Sequence, residues 1–534
     1  VEHKRARGNV IAQRVLVSIA FVAGLTAWLT YASSHAYSPN ADGATVVLEG
    51  LAITHGQLLL HGWSLSLDSF WSVDVPFYAL GVAVFGVIPL LMHLIPALLL
   101  ALCVLAGIAL SWSGSTARQR IYGTVLLVLM LCLPGHTGAF YLLQGPWHVA
   151  TTLYCLIAAF MLVKPTFGWR WMIAVVLLGI GLNGDFQMLA IGVIPVAVAG
   201  LFAMARRRSL AAGLTQLLAS LTSCLLALVI RVVANAFGTF QFSESHHTVK
   251  LRQLLRDVPH FGDWITAIFG IHNGPVVGPT VSPLSATFRA VIFALVVLGF
   301  IAAIIQLVRG IISPSPGYEL DGSVEVDLWR VDDLLLCMTL GAIGLFGLLT
   351  LSDSTSYARY LDPVAIFASV LAARFLPRFV TSFSSRVIQV IAGFIALTLV
   401  FCVISSVSAA GEKPPTAPTQ QLENYLFAHH LTHGIGDYWA ASIVTVDTKN
   451  AVIVRPVVAN LSGEIVPDGR QASISWYQGQ HFSFLVYQRD PYGRVNLATI
   501  KKTFGPPINI AHIGGYYYVV TWSHNLTLRL QPFP

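Results

Sequence analysis

The sequence predicts a polytopic α-helical membrane protein of about 11 transmembrane helices, carrying a small C-terminal extracytoplasmic domain that is α+β or β-rich. Three observations lead there. The 534 residues are 55% hydrophobic and only 10% charged, with mean hydropathy +0.71, too little charge to cover a soluble protein of this size. Apolar runs long enough to span a bilayer, at about 1.5 Å per residue, alternate with short basic turns. After residue 410 the pattern changes to short runs rich in β-branched and aromatic residues.

Lys4, Arg5, Arg7 and Arg14 precede the first apolar run, 15–33, and place the N-terminus in the cytoplasm. No small-residue cleavage site follows it, so it reads as a retained helix. Residues 34–75 form a long external loop, and the apolar piece 76–86 is too short to cross. Further spans are expected at 87–112, 121–134, 146–163, 171–183, 187–205, 211–235, 285–308, 334–351, 361–376 and 387–409. Arg118 and Arg120, Lys164 and Arg170, Arg206 to Arg208, Arg309, and Arg374, Arg378 and Arg386 mark the cytoplasmic turns. An odd number of spans leaves the C-terminus outside, with a second large external loop at 236–283.

The expected domains are therefore a transmembrane region 1–410, a Gly/Pro-rich linker 411–418 and an outer domain 419–534. The outer domain opens on a helical pattern at 420–433. Strand-like runs follow at 442–446, 452–457, 473–477, 482–487 and 516–522. Cys103, Cys132, Cys155, Cys224, Cys337 and Cys402 all fall in apolar runs without CxxC spacing and read as helix-packing residues. The net charge of +7 follows the cytoplasmic turns and points to a bilayer, with no nucleic-acid partner. There is no HExxH, GxSxG, P-loop or strand-borne GxGxxG, which argues against an ATP-driven pump and a soluble-type hydrolase.

Acids are scarce, yet the first external loop holds four: Asp42, Glu49, Asp68 and Asp74. Moving a sugar from a lipid phosphate to a hydroxyl needs one base for the hydroxyl proton and cations for the departing phosphate. Asp42, at the outer mouth of the first helix, can be that base; it reads equally well as a solvated acid or a helix cap. The order Pro39-Asn40-Ala41-Asp42, then 51–58, then Asp74-Val75-Pro76-Phe77 and Phe85-Gly86 resembles the GT-C superfamily of integral-membrane glycosyltransferases, of the protein O-mannosyltransferase and aminoarabinose transferase type. The resemblance implies that Asp42 is the catalytic base. Many relatives carry an acidic pair where this chain has Asp42-Gly43, so a second acid must come from elsewhere if one assists. Asp68, Asp74 and Glu49 stand as supporting acids for acceptor binding, a metal or structure.

The stretch Ser356 to Pro363, with Arg359-Tyr360-Leu361-Asp362-Pro363, resembles one found at the same place in many GT-C enzymes. Arg359 there can fork onto a phosphate, with Tyr360 beside it, or simply snorkel at the interface. His246, His247, Lys250 and Arg252 form a basic cluster on the outer side, suited to a donor phosphate or to anionic headgroups. The paired histidines could join an acid at a metal, so a divalent cation stays open and no cofactor is required by the sequence. His136, His148 and Asp185 lie at external turns, where capping close to water is the expectation. In the outer domain Tyr438 and Trp439 are candidates for stacking on an acceptor glycan, while most other aromatics there are expected to fill a core. Asn460-Leu461-Ser462 and Asn525-Leu526-Thr527 fit glycosylation sequons.

Together these readings describe a membrane glycosyltransferase. It would take a sugar from a polyprenyl-phosphate donor and pass it, with inversion, to a cell-envelope glycan, lipid or protein. The resemblance implies the bacterial plasma membrane, with the site and the C-terminal domain extracytoplasmic. A transporter or lipid flippase, and a non-catalytic glycan-binding relative on the same scaffold, are the alternatives. Transporters gather polar groups at mid-membrane and show repeated halves, whereas here the ionisable groups collect at the ends of the apolar runs.

Overall fold

A computed structural model describes residues 2–164, 166–205, 210–242, 261–274, 281–312, 324–349, 359–381, 384–410, 419–488 and 495–530. The chain is mostly helical and forms two compact units. One comprises Val1–Ala36, Pro96–Val229 and His247–Pro414; the other comprises Tyr37–Ile95, Ile230–His246 and Pro415–Pro534. The expected linker 411–418 lies outside the described residues.

The helices of the first unit are α1 (Glu2–Ala36), α4 (Leu91–Trp112), α5 (Ala117–Leu131), α6 (His136–Leu143), α7 (Val149–Met161), α8 (Trp169–Gly184), α9 (Ile194–Ala205), α10 (Leu210–Ala236), α11 (Pro283–Ile312), α12 (Val324–Leu349), α13 (Asp362–Val380) and α14 (Ser385–Ala410), with the ends of α4 and α10 passing into the second unit. Six helical segments among the described residues are long and apolar enough to cross a membrane: 12–36, 91–112, 213–236, 283–312, 359–380 and 385–404. The chain is thus a multi-pass membrane protein. The runs at 146–163 and 171–183 form helices of only 13 and 16 residues. At 1.5 Å per residue these reach about 20–24 Å, short of a hydrocarbon core of about 30 Å. The run at 121–134 ends α5 at Leu131, and α6 follows it bent by 95° at a break that contains Pro134.

Helix α13 is buried along nearly its whole length, packed against α5, α11 and α12. Small residues let the neighbours approach: a Cβ on Gly299 of α11 would lie 2.4 Å from Ala372, and one on Gly123 of α5 would lie 2.6 Å from the Ala373 carbonyl. Arg374 and Arg378 of α13 bind Asp332 of α12 at 2.6 and 2.8 Å. Arg374, one of the residues expected to mark a cytoplasmic turn, is drawn into the helix packing. It is fully buried, because an adjacent carboxylate and the Leu110 carbonyl replace water around its guanidinium.

In the second unit α2 (Ala41–Thr54) and α3 (Val75–Phe85) come from the first loop, and α2 packs closely on α3 at Gly50, where a Cβ would meet Ala79 N at 2.8 Å. A six-stranded mixed sheet has the order β5 (Ile465–Pro467), β4 (Ile453–Ala459), β3 (His433–Gly436), β7 (Phe484–Gln488), β9 (Tyr517–Thr521), β8 (Asn509–Ile513). Its centre is parallel, since β3 pairs in parallel with both β4 and β7. Strand alternation sends Phe484 and Val486 to one core, with α15 (Gln420–Ala428) and α16 (Tyr438–Asp447), and Leu485 and Tyr487 to the other, with α17 (Leu497–Phe504). Helices therefore cover both faces.

The run 442–446, read as a strand, is instead the middle of α16. Its β-branched residues are buried all round, and Asp437 caps the helix by accepting from Ala440 N at 3.0 Å. A short apolar run carries no periodicity that separates a strand from a buried helix. A second, three-stranded sheet joins β1 (Trp63–Leu65) to β2 (Gln241–Phe242) and β6 (Ala472–Ser473).

Candidate functional site

Asp42 sits in the first turn of α2. Asn40 caps that helix through Gly43 N, at 3.1 Å, and the free amides of a helix N-terminus favour a negative charge there. Helix α16 follows β3 directly, so its first residue, Tyr438, lies at the carboxyl end of a parallel strand, where α/β sheets expose functional groups. The two helices pack together, and the Tyr438 hydroxyl donates to Asp42 Oδ1 at 2.6 Å.

The same hydroxyl lies 2.6 Å from the side-chain amide of Gln471. A phenol has one hydrogen, so with Asp42 as its acceptor the amide nitrogen of Gln471 must face it. Burial first, and Asp42 second, push the Tyr438 phenol well above its usual range, so it stays a donor. Arg470 lies over the Tyr438 ring at 5.7 Å and pairs with buried Asp468 at 3.6 Å. Segments around 42, 438 and 468–471, distant in sequence, thus converge on one half-buried carboxylate.

The other loop acids behave differently. Glu49 is 0% exposed and has no hydrogen-bond partner at either oxygen; burial pushes its carboxyl well above the usual range and keeps it neutral. Asp74 is buried at the N-cap of α3 without making a side-chain cap. Asp68 is half-buried in the turn leading to Phe70. Trp439, next to Tyr438, is 50% exposed.

In the first unit Arg359 and Tyr360 form a short turn ahead of α13. The Arg359 guanidinium lies 5.4 Å from the Tyr360 ring and 6.0 Å from that of Trp147, with the buried Asp362 as its acidic neighbour. Tyr360 packs on His148 with ring centroids 4.9 Å apart. His148 Nδ1 is 2.8 Å from Asp185 Oδ2, which also accepts from Thr151, while Gln187 N donates to Asp185 Oδ1 at 2.9 Å. The expectation that His148 and Asp185 lie close to water is corrected: both are fully buried and hold each other, while Asp185 does cap its turn through Gln187 N. A π-helical segment, Leu189–Val193, follows immediately, a distortion frequent at functional sites. Arg359 and Tyr360 are thereby placed on a framework of aromatic stacking and a buried His–Asp contact.

His246, His247, Lys250 and Arg252 lie outside the described residues. Among the described residues no group of three or more His, Cys, Asp or Glu side chains is arranged to hold a metal ion. Sequence reasoning named Asp42 and Tyr438 separately, and missed that one hydroxyl joins them. It also missed Gln471 and Asp468, whose only local signal was the turn Pro467-Asp468-Gly469.

No family model and no curated protein matches the chain. By structure it is similar to the oligosaccharyltransferase AglB from Archaeoglobus fulgidus in complex with an inhibitory peptide and a dolichol-phosphate, at TM-score 0.47 and 11% identity over 88% of this chain and 69% of that one. It is also similar to ArnT from Cupriavidus metallidurans bound to undecaprenyl phosphate, at TM-score 0.40 and 12% identity over 94% of this chain and 97% of that one. Against ArnT in the apo state the TM-score is 0.38, with 11% identity over 98% and 100% of the two chains.

Proposed function

We propose that this chain is a GT-C-type glycosyltransferase that moves a sugar from a polyprenyl-phosphate donor to a hydroxyl on a cell-envelope acceptor. The observation that carries the reading is the Asp42 carboxylate at a helix N-terminus, oriented by the 2.6 Å hydrogen bond from Tyr438. The motif order of the first loop and the Arg359 stretch supports it from the sequence side.

In this reading Asp42 takes the proton of the acceptor hydroxyl as that oxygen bonds to the sugar C1. The C1–O bond to phosphate breaks in the same displacement, inverting the anomeric centre, and the pair leaves on polyprenyl phosphate. Arg359, together with Tyr360, Lys250, Arg252, His246 and His247, stabilises the leaving phosphate. Tyr438 holds the base, and Trp439 is left to meet the acceptor. Asp68 and Asp74 remain supporting acids. Glu49, buried and neutral, supports packing on α3. The reaction belongs on the outer face of a bacterial plasma membrane, with 419–534 as an extracytoplasmic domain.

The test is release of polyprenyl phosphate by purified protein in liposomes given a panel of polyprenyl-phosphate sugars and envelope acceptors. Release that depends on both donor and acceptor is expected. Movement of the intact lipid between leaflets with no release would establish the flippase reading instead.

A further inference from the structure

A groove of about 300 Å³ opens in the second unit away from Asp42, between the C-terminal half of α2 and the edge of the six-stranded sheet. Leu48, Leu51, Ala52 and His55 give it one α2 face, because they recur at helical spacing. Asp42, six residues before Leu48, is rotated about 120° from that face at 100° per residue. The groove is therefore a separate place on the same helix, with a volume at the lower end of small-ligand pockets.

Its chemistry is specific. Arg455, on β4, lies over the Trp476 ring at 4.3 Å, and Trp63 meets Trp476 edge-on at 4.9 Å. Among the described residues the Arg455 side chain has no carboxylate partner and no hydrogen bond, and no acid lines the groove. Stacking holds the guanidinium plane and leaves its edge N–H donors for a ligand. Burial lowers the Arg455 pKa to about 10, so the group stays charged near neutrality and would gain from a negative neighbour.

Around this cation stand further polar groups. Gln57 accepts from the Trp63 indole at 3.4 Å, His55 is exposed at the end of α2, and Asn450 reaches the groove from a turn. In that turn Lys449 and Asn450 both have positive φ, 54° and 66°, a conformation that ordinary residues adopt rarely. An aromatic wall, amide and imidazole hydrogen-bonding groups and one unpaired guanidinium match a sugar that bears an oxyanion.

We infer that this groove binds an anionic saccharide, with Arg455 on its carboxylate or phosphate and Trp476 on its ring. The choice of a saccharide rests on the glycosyltransferase reading; the anion preference rests on Arg455 alone.

The test is calorimetric binding to full-length protein in nanodiscs with no lipid donor present. The probes are a glucuronate-containing disaccharide, a hexose 6-phosphate and a neutral disaccharide. A charged probe should bind at least tenfold tighter than the neutral one, and the tighter of the two charged probes identifies the oxyanion. Arg455→Gln should remove that preference. Arg455→Lys keeps the charge without the fork and should retain part of the preference, which guards against a Gln variant that fails to fold. Equal binding of charged and neutral probes, no binding of any probe, or an Arg455→Gln variant that binds like wild type would overturn the inference. Because no donor is present, these results are independent of turnover, and failure of the glycosyltransferase reading would appear only in the release assay.

Discussion

The two halves of helix α2 treat their carboxylates in opposite ways. At the start, Asp42 is half-buried, sits among free helix amides and receives the Tyr438 hydroxyl. Seven residues on, about 10 Å along the axis, Glu49 is fully enclosed, unpartnered and held neutral by burial. Side-chain chemistry is nearly the same at both places; the difference comes from what packs around each. A group that must gain and lose a proton at an acceptor needs access and a charge-stabilising neighbour, and only the first position offers both.

The comparison can be broken most severely at Asp42. Asp42→Asn should lower turnover by about 10²–10⁴-fold, the usual contribution of a general base, with donor affinity unchanged in the same liposomes. Next in size is Tyr438→Phe, which removes one charge-assisted hydrogen bond and should cost about 10–100-fold in turnover. A rise in KM larger than the fall in kcat would instead assign the Tyr438 hydroxyl to acceptor binding, in keeping with the sequence-based reading of Tyr438 and Trp439 as acceptor-binding residues.

Glu49→Met sharpens the contrast from the other half of the helix. It replaces a partnerless buried acid by an apolar chain of similar length, so turnover should stay within about twofold. Stability against denaturant should rise by about 1–3 kcal/mol, the cost of an unsatisfied buried group. Abolished turnover in a well-folded Glu49→Met protein would make Glu49 a working acid and erase the distinction.

The smallest effect concerns the far end of α16. Burial first, and the neighbouring Glu423 second, push the Asp447 carboxyl up to about 7. An acid raised in the folded state binds more protons there than in the unfolded chain, whose ordinary value is about 3.9. Its contribution is fully present below about pH 4 and is lost as pH rises through about 7. Unfolding midpoints measured from pH 5 to 8 should therefore fall with pH in the wild type, and less so in Asp447→Asn.

Much of this molecule was legible from residue order alone. The apolar runs became helices because burial against lipid or other helices needs little more than length and hydropathy. Asp42 stood out because an acid just past a long apolar helix is uncommon in a chain so poor in charge. Elsewhere the signal was non-local. Ser442 to Val446 read as a strand because β-branched residues favour one, and only packing against both α2 and the sheet made them helical. Asp185 follows Gly184 and His148 follows the Gly145-Pro146 turn, so nothing in the sequence showed that α7 and α8 would bury them against each other. Gln471 joins Tyr438 across the fold from a position with a left-handed φ of 48°, which no neighbouring residue announces.

The claim that Asp42 takes the acceptor's proton has a direct test: polyprenyl phosphate release by Asp42→Ala protein, with and without added formate. The account predicts that turnover is lost while the donor still binds, and that formate, entering the space left by the side chain, restores part of the rate. Wild-type turnover in Asp42→Ala without formate would contradict it.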